Sequence, residues 1–179
     1  KLGYSIDMAS EMGEAAIIYQ NVGDGIESAD AAAESIISTI KGFGLQASDA
    51  MSIVDKFNQV GNEFSITSKG IGDALQRSAS ALAEGNNTLD ESIGLITAAN
   101  SVVQDPESVG TALKTLTLRL RGAKTELEDA GLETDNMVES TSTLQKKLLA
   151  LTGGKVDIML DANTFKSSTE ILREMSAAW

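Results

Sequence analysis

The chain has 179 residues, 26 of them acidic and 14 basic, for a net charge of −12, and it contains neither cysteine nor histidine. Those absences exclude a disulfide framework, a thiolate zinc site and a cysteine nucleophile, and they remove the commonest general base and metal ligand. The acidic balance argues against a phosphate-binding surface, which needs clustered Lys and Arg; it speaks first for solubility and would repel DNA passing nearby.

Apolar spacing of three and four recurs along almost the whole chain, so the dominant expectation is helix. The first helix is expected over 5–20, punctuated by Gly23 and Gly25. A second stripe follows, Ala29, Ala33, Ile36, Ile37, Ile40 and Phe43, and stops at Gly42 and Gly44. Ser48 is placed as an N-cap, its hydroxyl accepting an orphan backbone N–H, ahead of a face made of Met51, Val54, Phe57, Gly61 and Phe64. Thr67 caps a third stripe, Ile71, Leu75, Ser78 and Leu82, with Ile66 and Ile71 set as a hydrophobic staple and Gly85-Asn86-Asn87 as its stop.

Thr88 and Glu91 have the spacing of a capping box, and Leu89, Ile93, Ile96 and Val103 form the stripe behind it. Asp105 then caps, and Pro106 takes the first helical position, where its missing N–H does no harm. The helix it opens is expected to run to about 130, with a core face of Val109, Leu113, Leu116, Leu120, Ala123 and Leu127 and a left-handed stop at Gly131. Leu144, Leu148 and Leu151 suggest a further helix ended by Gly153-Gly154. Residues 156–160 read as a short strand or an extended link, and Ser167 with Glu170 opens a last helix through Ile171, Leu172 and Met175.

The expected fold is therefore all-α: an array of five to eight amphipathic helices with glycine-punctuated turns. Because the stripes reset at each glycine, a sustained coiled coil is not expected, and no fixed period supports a uniform solenoid. A helical core segment over 1–152 and an extended link plus terminal helix over 153–179 are the expected divisions. With aromatics at 4% and apolar residues at 42%, the core must be filled by Ala, Ile, Leu, Val and Met, which suits closely packed helices better than a sheet sandwich. The longest apolar runs, Ala15–Tyr19 and Leu148–Leu151, fall far short of the roughly 20 residues that span a bilayer. The chain opens on Lys1 with no signal-peptide pattern and reads as an excerpt of a longer protein.

Little in the sequence carries chemistry. Its serines sit at caps and on polar faces, without the strand–turn–helix setting of a nucleophile elbow, so no catalytic role is expected. Asp7, Glu11 and Glu14 fall at helical spacing, but a solvated acidic face explains them better than a cation site, which would need the ordered oxygen ligands and turn glycine of a calcium loop. Neither metal nor cofactor is expected. Lys114, Arg119, Arg121 and Lys124 are the one basic concentration; Arg119 points away from Lys114 and Arg121 by spacing, and Lys124 with Glu128 forms an i,i+4 pair, so the cluster is diffuse. Gly94 and Gly110 lie inside helices, where glycine costs about 1 kcal/mol relative to alanine and asks for a reason such as close helix approach.

The run from Thr88 to Gly131 also carries a family likeness. Glu91-Ser92-Ile93-Gly94-Leu95-Ile96-Thr97-Ala98-Ala99, followed after a turn by Val109-Gly110-Thr111-Ala112-Leu113-Lys114-Thr115-Leu116 and Leu118-Arg119-Leu120-Arg121-Gly122, resembles the core region of the tape-measure proteins of long-tailed bacteriophages. The likeness extends from Ala31-Ala32-Ala33-Glu34-Ser35-Ile36-Ile37 to Val156-Asp157-Ile158-Met159-Leu160-Asp161 and so spans most of the chain. The family-like motif residues are Gly110, Thr111, Ala112, Leu113, Leu116, Arg119 and Leu120. The resemblance implies a structural scaffold that sets tail length during assembly, resides in the lumen of the tail tube and leaves ahead of the DNA at ejection. It further implies tail-tube proteins, tail-tip proteins and tail assembly chaperones as partners, with self-association; the charge balance and the diffuse basic cluster argue against specific nucleic-acid binding. The alternative from a different class is a bacterial helical interaction module, adhesin-like or an export substrate, which would share the acidity and the stripes.

Overall fold

A computed structural model describes residues 5–122, 131, 134 and 141–178. Among them the chain forms eight α-helices: α1 (Ile6–Val22), α2 (Ala29–Phe43), α3 (Ala50–Glu63), α4 (Ser68–Glu84), α5 (Leu89–Val103), α6 (Pro106–Leu120), α7 (Thr141–Leu151) and α8 (Ser168–Ala178). The all-helical expectation holds. Where the helices start follows from side chains that accept the orphan N–H groups of a first turn. Ser5 accepts from Met8, Ser28 from Ala31, Thr67 from Gly70 and Asp105 from Ser108. Both capping boxes form, Thr88 with Glu91 and Ser167 with Glu170.

Ser48 does not cap α3. A single 3-10 turn, Ala47–Asp49, leads into that helix instead, and the Asp49 carboxylate accepts the Gln46 N–H at 2.8 Å. Ser48 thus lies inside a helical turn and not at the extended position that a capping hydroxyl requires.

α4 is the centre of the array, packed by α2, α3, α5 and α6. Its sequence explains this position: Ile71, Leu75 and Leu82 supply bulk, while Gly70, Gly72, Ala74, Ser78, Ala79 and Ala81 keep the remaining faces thin enough for neighbours to approach. The main core gathers Tyr19, Ile36, Phe57, Ile71, Leu75, Leu82 and Ile96 around it. Tyr19 meets Phe57 edge-on at 6.0 Å, and its hydroxyl donates to the Ser68 carbonyl at 2.7 Å, so the one polar atom of the ring is satisfied inside the core. Burial pushes the Tyr19 phenol well above its ordinary pKa.

A second, smaller cluster forms from Val156, Ile158 and Ile171, with Leu120, Leu144, Leu148, Phe165 and Met175 packed against it. It meets the main array at the α4–α5 turn through polar groups. Asn87 Oδ1 accepts from Thr169 N and Oγ1 at 3.0 and 2.8 Å, Gly85 O accepts from Ser168 N at 3.1 Å, and Asn86 Nδ2 donates to Phe165 O at 2.9 Å.

Several expectations are corrected. α6 stops at Leu120, with Gly122 in the left-handed region (φ +66); Ala123 and Leu127 lie outside the described residues, while Gly131 does take a left-handed conformation (φ +68). The buried face of α6 steps by four, Val109, Leu113 and Thr117, with Leu118 beside it, and the 100° turn per residue leaves Leu116 half-buried. Met51 and Phe64 are exposed rather than part of the α3 core face. Phe64 is the residue at which α3 has already ended in extended backbone, so it leaves the stripe that Ala50, Ile53, Val54 and Phe57 make. On α5, Asn100 takes the last buried place and donates to Ser65 O at 3.1 Å, and Val103 is exposed. Leu151, at the end of α7, is exposed too. No strand occurs among the described residues at 156–160, only an isolated bridge between Met159 and Phe165. The carboxylates of Asp157 and Asp161 accept the N–H groups of Met159, Asn163 and Thr164, which turns the backbone instead of leaving it for a ladder.

Candidate functional site

The motif residues lie on α6, and α6 packs against α4 along the most extensive helix pair among the described residues. At its centre is Gly110. A Cβ built there would stand 2.4 Å from the carbonyl oxygen of Ala74 and 2.9 Å from its Cα, so the two backbones touch and only hydrogen fits. Leu113 is buried one turn on, at 8% exposure, in the main core. Leu120 packs against the second cluster. The motif is thus a spine: its first half is fixed in one apolar cluster and its end in the other.

The remaining motif positions do not converge on one site. Thr111 and Ala112 are exposed, and the Thr111 hydroxyl donates to Glu107 O of its own helix at 3.0 Å. Leu116 and Arg119 are half-buried, and Arg119 has an interaction of its own. One flank of the seam is closed by an ion pair between Arg77 of α4 and Glu107 of α6.

The basic cluster is dispersed. The Arg121 guanidinium stacks over the Phe165 ring at 4.3 Å, joining the end of α6 to the second cluster, and burial lowers its pKa from the ordinary value. Lys114 is half-buried on α6; Lys124 and Glu128 lie outside the described residues. A cation turned onto a ring in this way is not offered to phosphates. Asp7, Glu11 and Glu14 are exposed along α1, and no three His, Cys, Asp or Glu side chains converge among the described residues. No described helix is long and apolar enough to cross a membrane.

Sequence reasoning missed the contacts that hold the second cluster in place. Asn87 and Thr169 are 82 positions apart, and no local pattern announces a bond of that range. Asn87 was visible only as part of a turn, whereas its side chain donates back to Leu82 O at 2.8 Å and accepts from the first turn of α8.

An interlocked helical array with its apolar spine and exposed acidic faces has the anatomy of a structural part, and the comparison with protein families agrees. The model of the phage-related minor tail protein family matches residues 1–176. The chain belongs to that family. No solved structure matches it. As a phage tail protein it has a structural role in the virion tail, among other tail components. In this minor tail segment α6 reaches from the main core to the second cluster, alongside the polar contacts of the α4–α5 turn.

Proposed function

We propose that this minor tail segment is part of a tape-measure scaffold, the component that sets tail length while the tube is built and leaves the tube ahead of the DNA. The observation that carries the reading is the run Glu91–Gly122, whose tape-measure likeness falls on a membership in the phage-related minor tail family over residues 1–176. The α6 motif, Gly110, Thr111, Ala112, Leu113, Leu116, Arg119 and Leu120, serves in this reading as packing spine and not as a chemical site. Helix is an economical material for a ruler because chain length converts linearly to distance, about 1.5 Å per residue. The segment itself, folded back at its turns, is a module attached to that ruler.

The partners in this reading are tail-tube and tail-tip proteins and tail assembly chaperones, with self-association and no specific nucleic acid. Its place is the lumen of the tail tube, and it has no catalytic role. A net charge of −12 supports coexistence with DNA in one conduit, since like charge keeps the two apart. The lumenal placement is tested with an epitope inserted at the exposed Gly153-Gly154 turn. Antibody should fail to label intact tails and should label the material released on ejection. Labelling along the outside of intact tails would refute a lumenal scaffold.

A further inference from the structure

Helices α3 and α5 both pack on α4, and between them an open groove of about 840 Å³ remains. Each helix gives it one full face. The α3 wall includes Val60 and Glu63 at one end and Lys56 at the other; the α5 wall includes Ile93, Gly94 and Ala98. The lining runs over Asp90–Ser101 of α5, about 16 Å of helix. Half of a helix of that length and about 10 Å diameter displaces roughly 650 Å³, so the groove is of a size with a three-turn helix embedded to its axis.

Gly94 leaves this face open. At Gly42, Gly72 and Gly110 an added Cβ would lie 2.4, 2.0 and 2.4 Å from a neighbouring residue, so each of those glycines is explained by a helix already packed on it. At Gly94, inside α5, no atom lies within 4 Å. Gly13 on α1 is open in the same way, so the place is marked by the groove around Gly94 and not by the glycine alone. The hydroxyls beside it make no demand on an occupant, because Thr97 donates to Ile93 O and Ser101 to Ala98 O within their own helix.

The ends of the groove differ in charge. Lys56 pairs with Asp90 at one end, and Asn100 of α5 reaches Ser65, just past α3, at the other. The two helices therefore run parallel, and both C-termini lie at the same end, each contributing about half a negative charge. Glu63 stands there with its carboxylate accepting from the neutral amide of Gln59, and Phe64 is 55% exposed next to it. No cation lines that end. We propose that the groove receives an amphipathic helix of a partner protein, with its apolar side against Val60, Ile93 and Gly94 and a Lys or Arg at its end beside Glu63 and over the Phe64 ring. Helix-in-groove docking supplies the affinity through the apolar face, and the acidic end, with a cation–π contact, selects the direction of the occupant.

The test uses the 179-residue chain and a labelled 15-residue peptide with leucines at helical spacing and two arginines in its last turn, read by fluorescence anisotropy. A companion peptide carries glutamates in place of the arginines. Saturable binding of the arginine peptide, at least tenfold weaker binding of the glutamate peptide, and loss of binding in Gly94→Leu are expected. Glu63→Lys should reverse the preference between the peptides. Gly94→Leu adds a side chain where space is open, so it should keep its helical circular dichroism; Ala98→Leu, on the same exposed face, serves if it does not. Absence of saturable binding, or equal affinity of the filled variants, overturns the proposal. So does concentration-dependent self-association of the wild-type chain that Gly94→Leu abolishes in sedimentation, because the occupant is then a second copy.

Discussion

Replacing Gly110 by alanine should weaken the fold although alanine is the better helix former. In isolation the change would favour α6 by about 1 kcal/mol. Here the new methyl would meet the Ala74 carbonyl oxygen at 2.4 Å, about 0.9 Å closer than the roughly 3.3 Å at which carbon and carbonyl oxygen ordinarily touch. The obstacle is main chain of the central helix, which cannot rotate aside as a side chain would. α4 and α6 must separate, and overpacking of this kind costs about 1–3 kcal/mol, more when nothing can relax. With the cost at the upper end, about 3 kcal/mol, because main chain cannot yield, the net loss should be about 2 kcal/mol once the helix gain is subtracted. That corresponds to a fall in Tm of about 4–8 °C for a chain of this size. Gly94→Ala is the control, since no atom lies within 4 Å of its added carbon; it should gain about 0.5–1 kcal/mol. Urea unfolding followed by circular dichroism measures both. If Gly110→Ala is as stable as the wild type, or Gly94→Ala loses as much, the close approach of α4 and α6 is not what fixes this position.

Leu75→Ala should cost about 2–5 kcal/mol because Leu75 is fully buried in the centre of α4, whereas Leu116→Ala, at a half-buried place on α6, should cost about 1 kcal/mol; equal losses in denaturant unfolding would contradict the assigned face of α6. The Asp157 carboxyl is held below its ordinary pKa by the Met159 N–H first, then by the Gln145 amide and nearby Lys166. Its folded value lies below its unfolded one, so its contribution is present above about pH 4 and lost as the pH falls through the folded value. The stability difference between wild type and Asp157→Asn should accordingly be visible at pH 7 and shrink at pH 3; a difference that grows on acidification would reverse the sign. Duplex DNA should not be bound at micromolar concentration even in low salt, given a net charge of −12 and Arg121 committed to Phe165; a salt-sensitive micromolar affinity would contradict this.

Much of the fold was legible because its information is local. The Thr67, Thr88, Asp105 and Ser167 caps each depend on residues within three positions, and all four formed as spacing implied. Local rules misled where a helical turn began before the expected cap, as at Ser48, and where a stripe ran to the end of its helix or past it, as at Val103 and Phe64. The end of α6 belongs to the same class: Leu120 continues the helical spacing but serves the second cluster, and Gly122 turns left-handed just beyond it. The groove between α3 and α5 could not be read at all from sequence. Gly94 and Gly110 look alike as helix-interior glycines, and only packing shows that one is filled by Ala74 and the other is open. The same holds for Asn87, whose role depends on a residue 82 positions away.

The reading of this tail segment as part of a tape measure is tested most directly by tail length. In-frame deletions in the protein that contains it can be compared by electron microscopy of the assembled tails. Deleting straight helix should shorten the tail by about 1.5 Å per residue removed. Deleting this segment should shorten it by less per residue, because α2, α3, α5 and α6 fold back on α4, or should stop assembly altogether. Tails of normal length and normal yield after every such deletion would contradict the account.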